Sequence, residues 1–176
     1  IMVTTKGYLK LFDFGTVKEI QNRTNTIIGT AHYMAPEILK GQGYSFQVDI
    51  WSIGICIYEF YCGKLPFGEQ YDNPMDIYEA VATQELVFPK FVNDEKFISL
   101  MNRMLIKSPT YRLWKFQQIK EDPYFKDFDW DKLISLSLTP PYMIKLKQPP
   151  ENKPISYLDY LKSKNIKGIK SKKLIT

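Results

Sequence analysis

Cysteine is scarce in this chain: Cys56 and Cys62 are the only two in 176 residues. Two thiols are too few for the disulfide framework of a small secreted scaffold. Cys56 also stands in a run that reads as a buried helix, so both are expected to be reduced thiols of an intracellular protein. Long apolar runs are missing as well. No stretch approaches ~18 residues without a charge, and the start lacks the charged-then-apolar pattern of a signal sequence. These absences exclude a transmembrane segment and predict a soluble, cytoplasmic protein. The body also lacks positive charge. Of the net +5, residues 145–176 hold nine lysines against Glu151 and Asp159, a net +7, leaving residues 1–144 at −2. A nucleic-acid surface needs its charge spread over a folded face with interleaved aromatics. The Lys-rich end, Lys162-Ser163-Lys164 through Lys172-Lys173, reads instead as a solvated tail.

The residues that are present suffice for a folded core, with 44 % hydrophobic and 15 % aromatic. Residues 1–5 and 7–12 each read as a short strand about Gly7, a hairpin that would deliver Asp13 at a strand end. Residues 16–34 have no period and read as loop. Ser45 is placed to cap a helix running to about Tyr61. Val48, Ile50, Trp51, Ile53, Ile55, Ile57, Tyr58 and Phe60 leave that helix almost no polar face, which predicts a central, buried element. Asn73-Pro74 supplies a cap and a first-turn proline for a helix to about Thr83. Asn93-Asp94-Glu95 opens another, with Phe97, Leu100, Met101, Met104 and Leu105 at helical spacing. A short helix near 114–121 ends at Asp122-Pro123. From Thr139-Pro140-Pro141 to Pro154 the proline density predicts an extended tail. There are no internal repeats, and Gly41-Gln42-Gly43 has neither the context nor the third glycine of a nucleotide loop.

Asp13-Phe14-Gly15 is followed by Gly29-Thr30-Ala31-His32-Tyr33-Met34 and Ala35-Pro36-Glu37. Asp49-Ile50-Trp51-Ser52-Ile53-Gly54, Gly63-x-x-Pro66-Phe67 and Arg112 come next, in that order. Any one triplet arises by chance, but the ordered set resembles the C-terminal lobe of a eukaryotic protein kinase. Phe125-Lys126-Asp127-Phe128-Asp129-Trp130 and Leu138-Thr139-Pro140-Pro141 narrow the resemblance to the AGC group. Within it the chain is similar to cyclic-nucleotide-dependent kinases, the cGMP-dependent ones most of all. The implied fold is mainly α, with a short N-terminal β-hairpin, a central buried helix and an extended C-terminal tail. The implied division is 1–125 as partial kinase domain from just after the catalytic loop, 126–150 as AGC-type tail and 151–176 as basic terminus.

The resemblance also assigns roles. Asp13 becomes a Mg²⁺ ligand, a hard oxygen for a hard cation; alone it would be an exposed Asp in a turn. Thr26 matches the activation-loop phosphorylation site, with Lys18 a local basic partner for the phosphate and Thr24 a nearby decoy. Thr30 marks Ser/Thr specificity. Ile27, Gly29, Ala31 and Met34 correspond to the substrate platform. Glu59 is a lone carboxylate in an apolar helix, and burying it unpaired is costly. It is expected to face a substrate arginine, or else an internal cation. Glu37 and Arg112 become a buried ion pair locking the segment to the lobe, and Asp49 a support for the catalytic-loop backbone.

The sequence departs from the family in instructive ways. His32 is its only histidine, so the family's His-Arg-Asp loop, with its catalytic base and second metal ligand, is not among these residues. Ile1-Met2-Val3 resembles the stretch directly after that loop. Ala31-His32 stands where Pro-Glu is usual, and Trp114 where glycine is common. The expected function is thus a partial serine/threonine kinase, acting in its complete form with ATP and Mg²⁺ on proteins with basic residues near Ser or Thr. An N-terminal lobe and an upstream regulatory region would be its missing partners, and the chain alone is expected to be inactive. The alternative is a non-catalytic kinase-like peptide-binding module.

Overall fold

The structure, a computed structural model, describes residues 1–19, 23–27 and 29–141. It is mainly helical with one two-stranded sheet. Two units are distinguished, one holding residues 1–12 with 139–141, the other Asp13–Leu138. In the first, β1 (Met2–Val3) pairs antiparallel with β2 (Leu9–Lys10), in register Met2↔Lys10 and Val3↔Leu9. The strands are shorter than the sequence pattern indicates. Thr4 to Tyr8 is consumed by the turn, where Gly7 takes φ 84° and its N–H bonds the Thr4 carbonyl at 2.9 Å. Pairing stops at Lys10, leaving Leu11, Phe12 and Asp13 outside the ladder.

The second unit is built around α2 (Gln47–Cys62). Its start differs from expectation: Ser45 makes no side-chain cap. The Ser45 and Phe46 carbonyls instead accept from Val48 and Asp49, and Phe46 takes the cap position. Gly63 ends the helix at φ 73°, its N–H closing on the Glu59 carbonyl at 2.8 Å. Trp51, Ile55 and Tyr58 are fully buried, yet α2 is not buried all round. Ile53, Phe60 and Tyr61 are exposed, because the described elements pack on one side of it only.

α3 (Pro74–Thr83) and α4 (Glu95–Met104) begin where their local signals indicate. Asn73 Oδ1 accepts from the Met75 N–H, and Asp94 Oδ1 from those of Lys96 and Phe97, satisfying otherwise orphan donors. Phe97, Leu100, Met101 and Met104 form the buried stripe of α4, which meets α2. Trp51 stacks on Phe67 with centroids 5.7 Å apart, and Tyr61 on Phe97 at 3.9 Å.

α1 (Pro36–Leu39) is a single turn, and α5 (Phe116–Lys120) lies within the predicted 114–121. After a 3₁₀ turn at Pro123–Phe125, α6 (Trp130–Ile134) lets Trp130 pack against Phe116, Phe125 and Phe128. The first part of the expected tail is therefore turn and helix. From residue 142 onward the expected tail and the basic terminus lie outside the described residues. Both cysteines are unpaired, and no described helix is long and apolar enough to cross a membrane.

Candidate functional site

The loop between Asp13 and Glu37 has no periodic signal of its own, so long-range contacts must hold it. Its far end is fixed by charge. Arg112 is 2 % exposed and Glu37 4 %, and their side chains form a two-pronged pair, Nη1–Oε1 at 2.6 Å and Nη2–Oε2 at 2.8 Å. The remaining guanidinium N–H groups donate to the carbonyls of Ile106, Gln47 and Lys107, so each of the five donors has an acceptor. Trp51 packs beneath the guanidinium, 5.0 Å from ring centroid to Cζ.

Nearer the start, Thr24 and Tyr44 form an antiparallel bridge. Lys18 Nζ donates to Thr24 Oγ1 at 2.9 Å, and that oxygen lies 3.4 Å from Thr26 Oγ1. Thr24 is buried and Thr26 exposed. Gly29 takes φ 120°, a conformation that disfavours any side chain. The chain then enters a 3₁₀ turn, Ala31–Tyr33, with Thr30 at its cap position. Ser52 of α2 donates to the Tyr33 carbonyl at 2.8 Å and seats this turn.

A cleft of about 480 Å³ is the meeting place of several residues singled out in the sequence. Gly29, Thr30, Met34 and Asp49 line it together with Lys18 and Thr24. Asp49 stands in the first turn of α2, and protein packed around it raises its carboxyl above the ordinary value. Its carboxylate has no hydrogen-bond or ionic partner among the described residues. Asp13, Ile27, Ala31 and Glu59 lie outside that lining.

Glu59 is half-buried and accepts from the Tyr33 hydroxyl at 2.7 Å. Burial first, then this carboxylate, push the Tyr33 phenol up to about 12. No cation pairs with Glu59 among the described residues, so the internal ion pair weighed from the sequence is not formed among them. Tyr33 escaped the sequence reading because no periodicity marks a loop tyrosine whose partner is 26 residues away. His32 was noted in the sequence, but its contact was not: its Nε2 stands 3.2 Å from the Gly68 carbonyl, which only accepts, so Nε2 carries the proton.

Asp13 is exposed in left-handed conformation at φ 66°, uncommon for a residue with a Cβ. Its Oδ1 accepts from the Gly15 N–H at 3.4 Å. The described residues contain no group of three or more His, Cys, Asp or Glu arranged to hold a metal. A single exposed carboxylate is one hard oxygen donor, and a Mg²⁺ held there would need its remaining ligands from phosphate oxygens or water.

Comparison with known proteins places the chain in a family. The protein kinase domain family matches residues 1–125. The chain is 45 % identical over 145 residues to a cGMP-dependent protein kinase of Toxoplasma gondii, covering 80 % of this chain and 15 % of that protein. It is 44 % identical over 149 residues to one of Plasmodium berghei (82 % and 17 %). A cAMP-dependent protein kinase catalytic subunit of Arthrobotrys oligospora is 33 % identical over 147 residues (81 % and 28 %). The chain thus spans less than a third of the length of each of these relatives. By the domain match and these identities, the chain belongs to the protein kinase family.

Proposed function

We propose that this chain is the C-terminal-lobe part of a serine/threonine kinase of cGMP-dependent type, supplying its activation segment and peptide-docking surface. Residues 1–125 are the kinase-domain part, 126–150 the start of an AGC-type tail and 151–176 a basic terminus. The observation that carries the reading is the anchored loop. With Glu37 clamped by Arg112, Gly29, Thr30 and Met34 are brought to one cleft beside Asp49, which has no partner among the described residues.

Asp13 would be one Mg²⁺ ligand, and bound Mg-ATP supplies the phosphoryl group. Transfer in such enzymes is chiefly positioning and charge stabilisation. Thr30 with Ile27, Gly29, Ala31 and Met34 holds the substrate chain, and Asp49 supports a catalytic-loop backbone supplied from outside these residues. Glu59, without a cation of its own, receives a basic substrate side chain on the oxygen that Tyr33 leaves open. Thr26 is the phosphorylation site, exposed next to the Lys18–Thr24 contact.

The test is the purified 176-residue chain with Mg-ATP and a serine peptide carrying an upstream arginine. No phosphate incorporation above background is expected, because the sequence holds no His-Arg-Asp base. Fluorescence anisotropy should still register weak binding of the peptide, reduced about tenfold or more in Glu59→Ala, as for loss of a charged hydrogen bond. Turnover by the chain alone, or binding indifferent to Glu59, would contradict the assignment.

A further inference from the structure

The activation segment is tied to the α1–α2 loop by more than side-chain packing. Thr24 and Tyr44 exchange both main-chain hydrogen bonds, at 3.0 and 2.9 Å. The Tyr44 hydroxyl then reaches two residues along the segment and donates to the Thr26 carbonyl. Gly43 allows this approach. It sits at φ +67°, and a Cβ there would lie 2.9 Å from Asn25 Oδ1 and 3.6 Å from Arg23 Cδ. On the segment's own side, Lys18 Nζ holds the Thr24 hydroxyl, which in turn lies beside that of Thr26.

This arrangement separates two threonines that look alike in sequence. Thr24 is buried, its oxygen engaged by Lys18, and it serves as a clamp; Thr26 is left displayed. In extended chain, residues two apart share a side, and a one-residue slip turns both away. A slip here would put Asn25 in the place of Thr24 and carry both hydroxyls away from Lys18. The phenol bond opposes that slip, and it opposes it whether or not Thr26 is phosphorylated, because its acceptor is a backbone carbonyl.

We propose that Tyr44 is a positioning residue that fixes the register of the activation segment, so that a phosphate on Thr26 stands within reach of Lys18. The proposal rests on the reading of Thr26 as the phosphorylation site. Arg23 and Glu19 are the other charged residues of this stretch.

The experiment uses the full 176-residue chain with phosphothreonine incorporated at position 26 during translation, titrated by ³¹P NMR. A neighbouring ammonium should lower the phosphate's second pKa by about 0.5 from its usual value of roughly 6. Lys18→Met should abolish that lowering. Tyr44→Phe keeps the ring, which packs against the core, and removes only the hydroxyl. It should abolish most of the lowering and speed exchange of the Thr24 and Tyr44 amides about three- to tenfold, the worth of one hydrogen bond. The α4 amides should be unaffected.

If Lys18→Met leaves the phosphate unchanged, Lys18 does not grip it and the register role is overturned, while the reading of Thr26 as the phosphorylation site, which does not depend on Lys18, stands. If Lys18→Met acts and Tyr44→Phe does not, the register role alone is overturned. Loss of α4 protection in Tyr44→Phe would make the tyrosine a general packing residue and overturn the role in the same way.

Discussion

Lys107 puts an ammonium where most proteins place hydrocarbon. Its Nζ lies 3.3 Å from the centroid of Phe67 and 5.4 Å from that of Trp51. It donates to the Val81 carbonyl at 2.6 Å. Val81 is in the last turn of α3, where carbonyls have no helical partner and a cation is welcome. No carboxylate pairs with Lys107 among the described residues, and burial lowers its pKa from 10.5 to about 8. Over that interval the unfolded chain binds the proton more tightly than the folded one, so stability contributed at this site rises with pH. Near pH 10 the effect is opposed by Tyr33 and Tyr58, whose phenols are raised by burial and so favour folding less as pH climbs. Thermal melts between pH 8 and 10 should therefore show a rise in Tm for the wild type relative to Lys107→Met. Parallel curves for the two proteins would mean that Lys107 titrates as an ordinary surface lysine.

Among the elements, the crossing of α2 and α4 is closely packed. A Cβ on Gly54 would stand 2.9 Å from Leu105 Cδ2 and 3.4 Å from Met104 Cβ. Glycine inside a helix costs about 1 kcal/mol relative to alanine, a cost accepted here to let α4 approach. Gly54→Ala should gain that propensity and lose more through overpacking, typically about 1–3 kcal/mol, for a net destabilisation. The check is urea unfolding, where the midpoint should fall with the slope unchanged; a higher midpoint would show that Leu105 moves aside freely. The helices also show how unevenly sequence encodes boundaries. Asn73 and Asp94 carry their caps in their own side chains and were legible. The start of α2 was not, because backbone turns at Ser45 and Phe46 serve it and the serine hydroxyl plays no part.

For the whole molecule, the Glu37–Arg112 contact joins positions 75 residues apart and ties the loop from Asp13 onward to the helical body. Because the guanidinium is fully enclosed, removing it strands a buried carboxylate and the carbonyls of Ile106, Gln47 and Lys107. Arg112→Ala should cost about 3–5 kcal/mol, read as a large drop in Tm. Arg112→Lys should recover little, since an ammonium offers neither the planar fork nor five donors. A melting temperature close to wild type in either variant would show that the pair is not structurally important.

Local signals in the sequence determined α3, α4, α5 and the order of the kinase signatures, since caps, a 3.6-residue stripe and fixed triplets are properties of neighbouring residues. The candidate site was legible as a set of residues only through that ordered resemblance. Tertiary structure decided how short the hairpin strands are and which side of α2 is buried. It also decided that Glu59 meets the Tyr33 phenol, that Asp49 looks into the cleft, and that Thr24 is buried beside Tyr44 while Thr26 is exposed. The physical reason is the same in each case. These outcomes depend on hydrogen bonds and packing between groups distant in the chain, or on where the turn ends, and no propensity or period of the local chain specifies either.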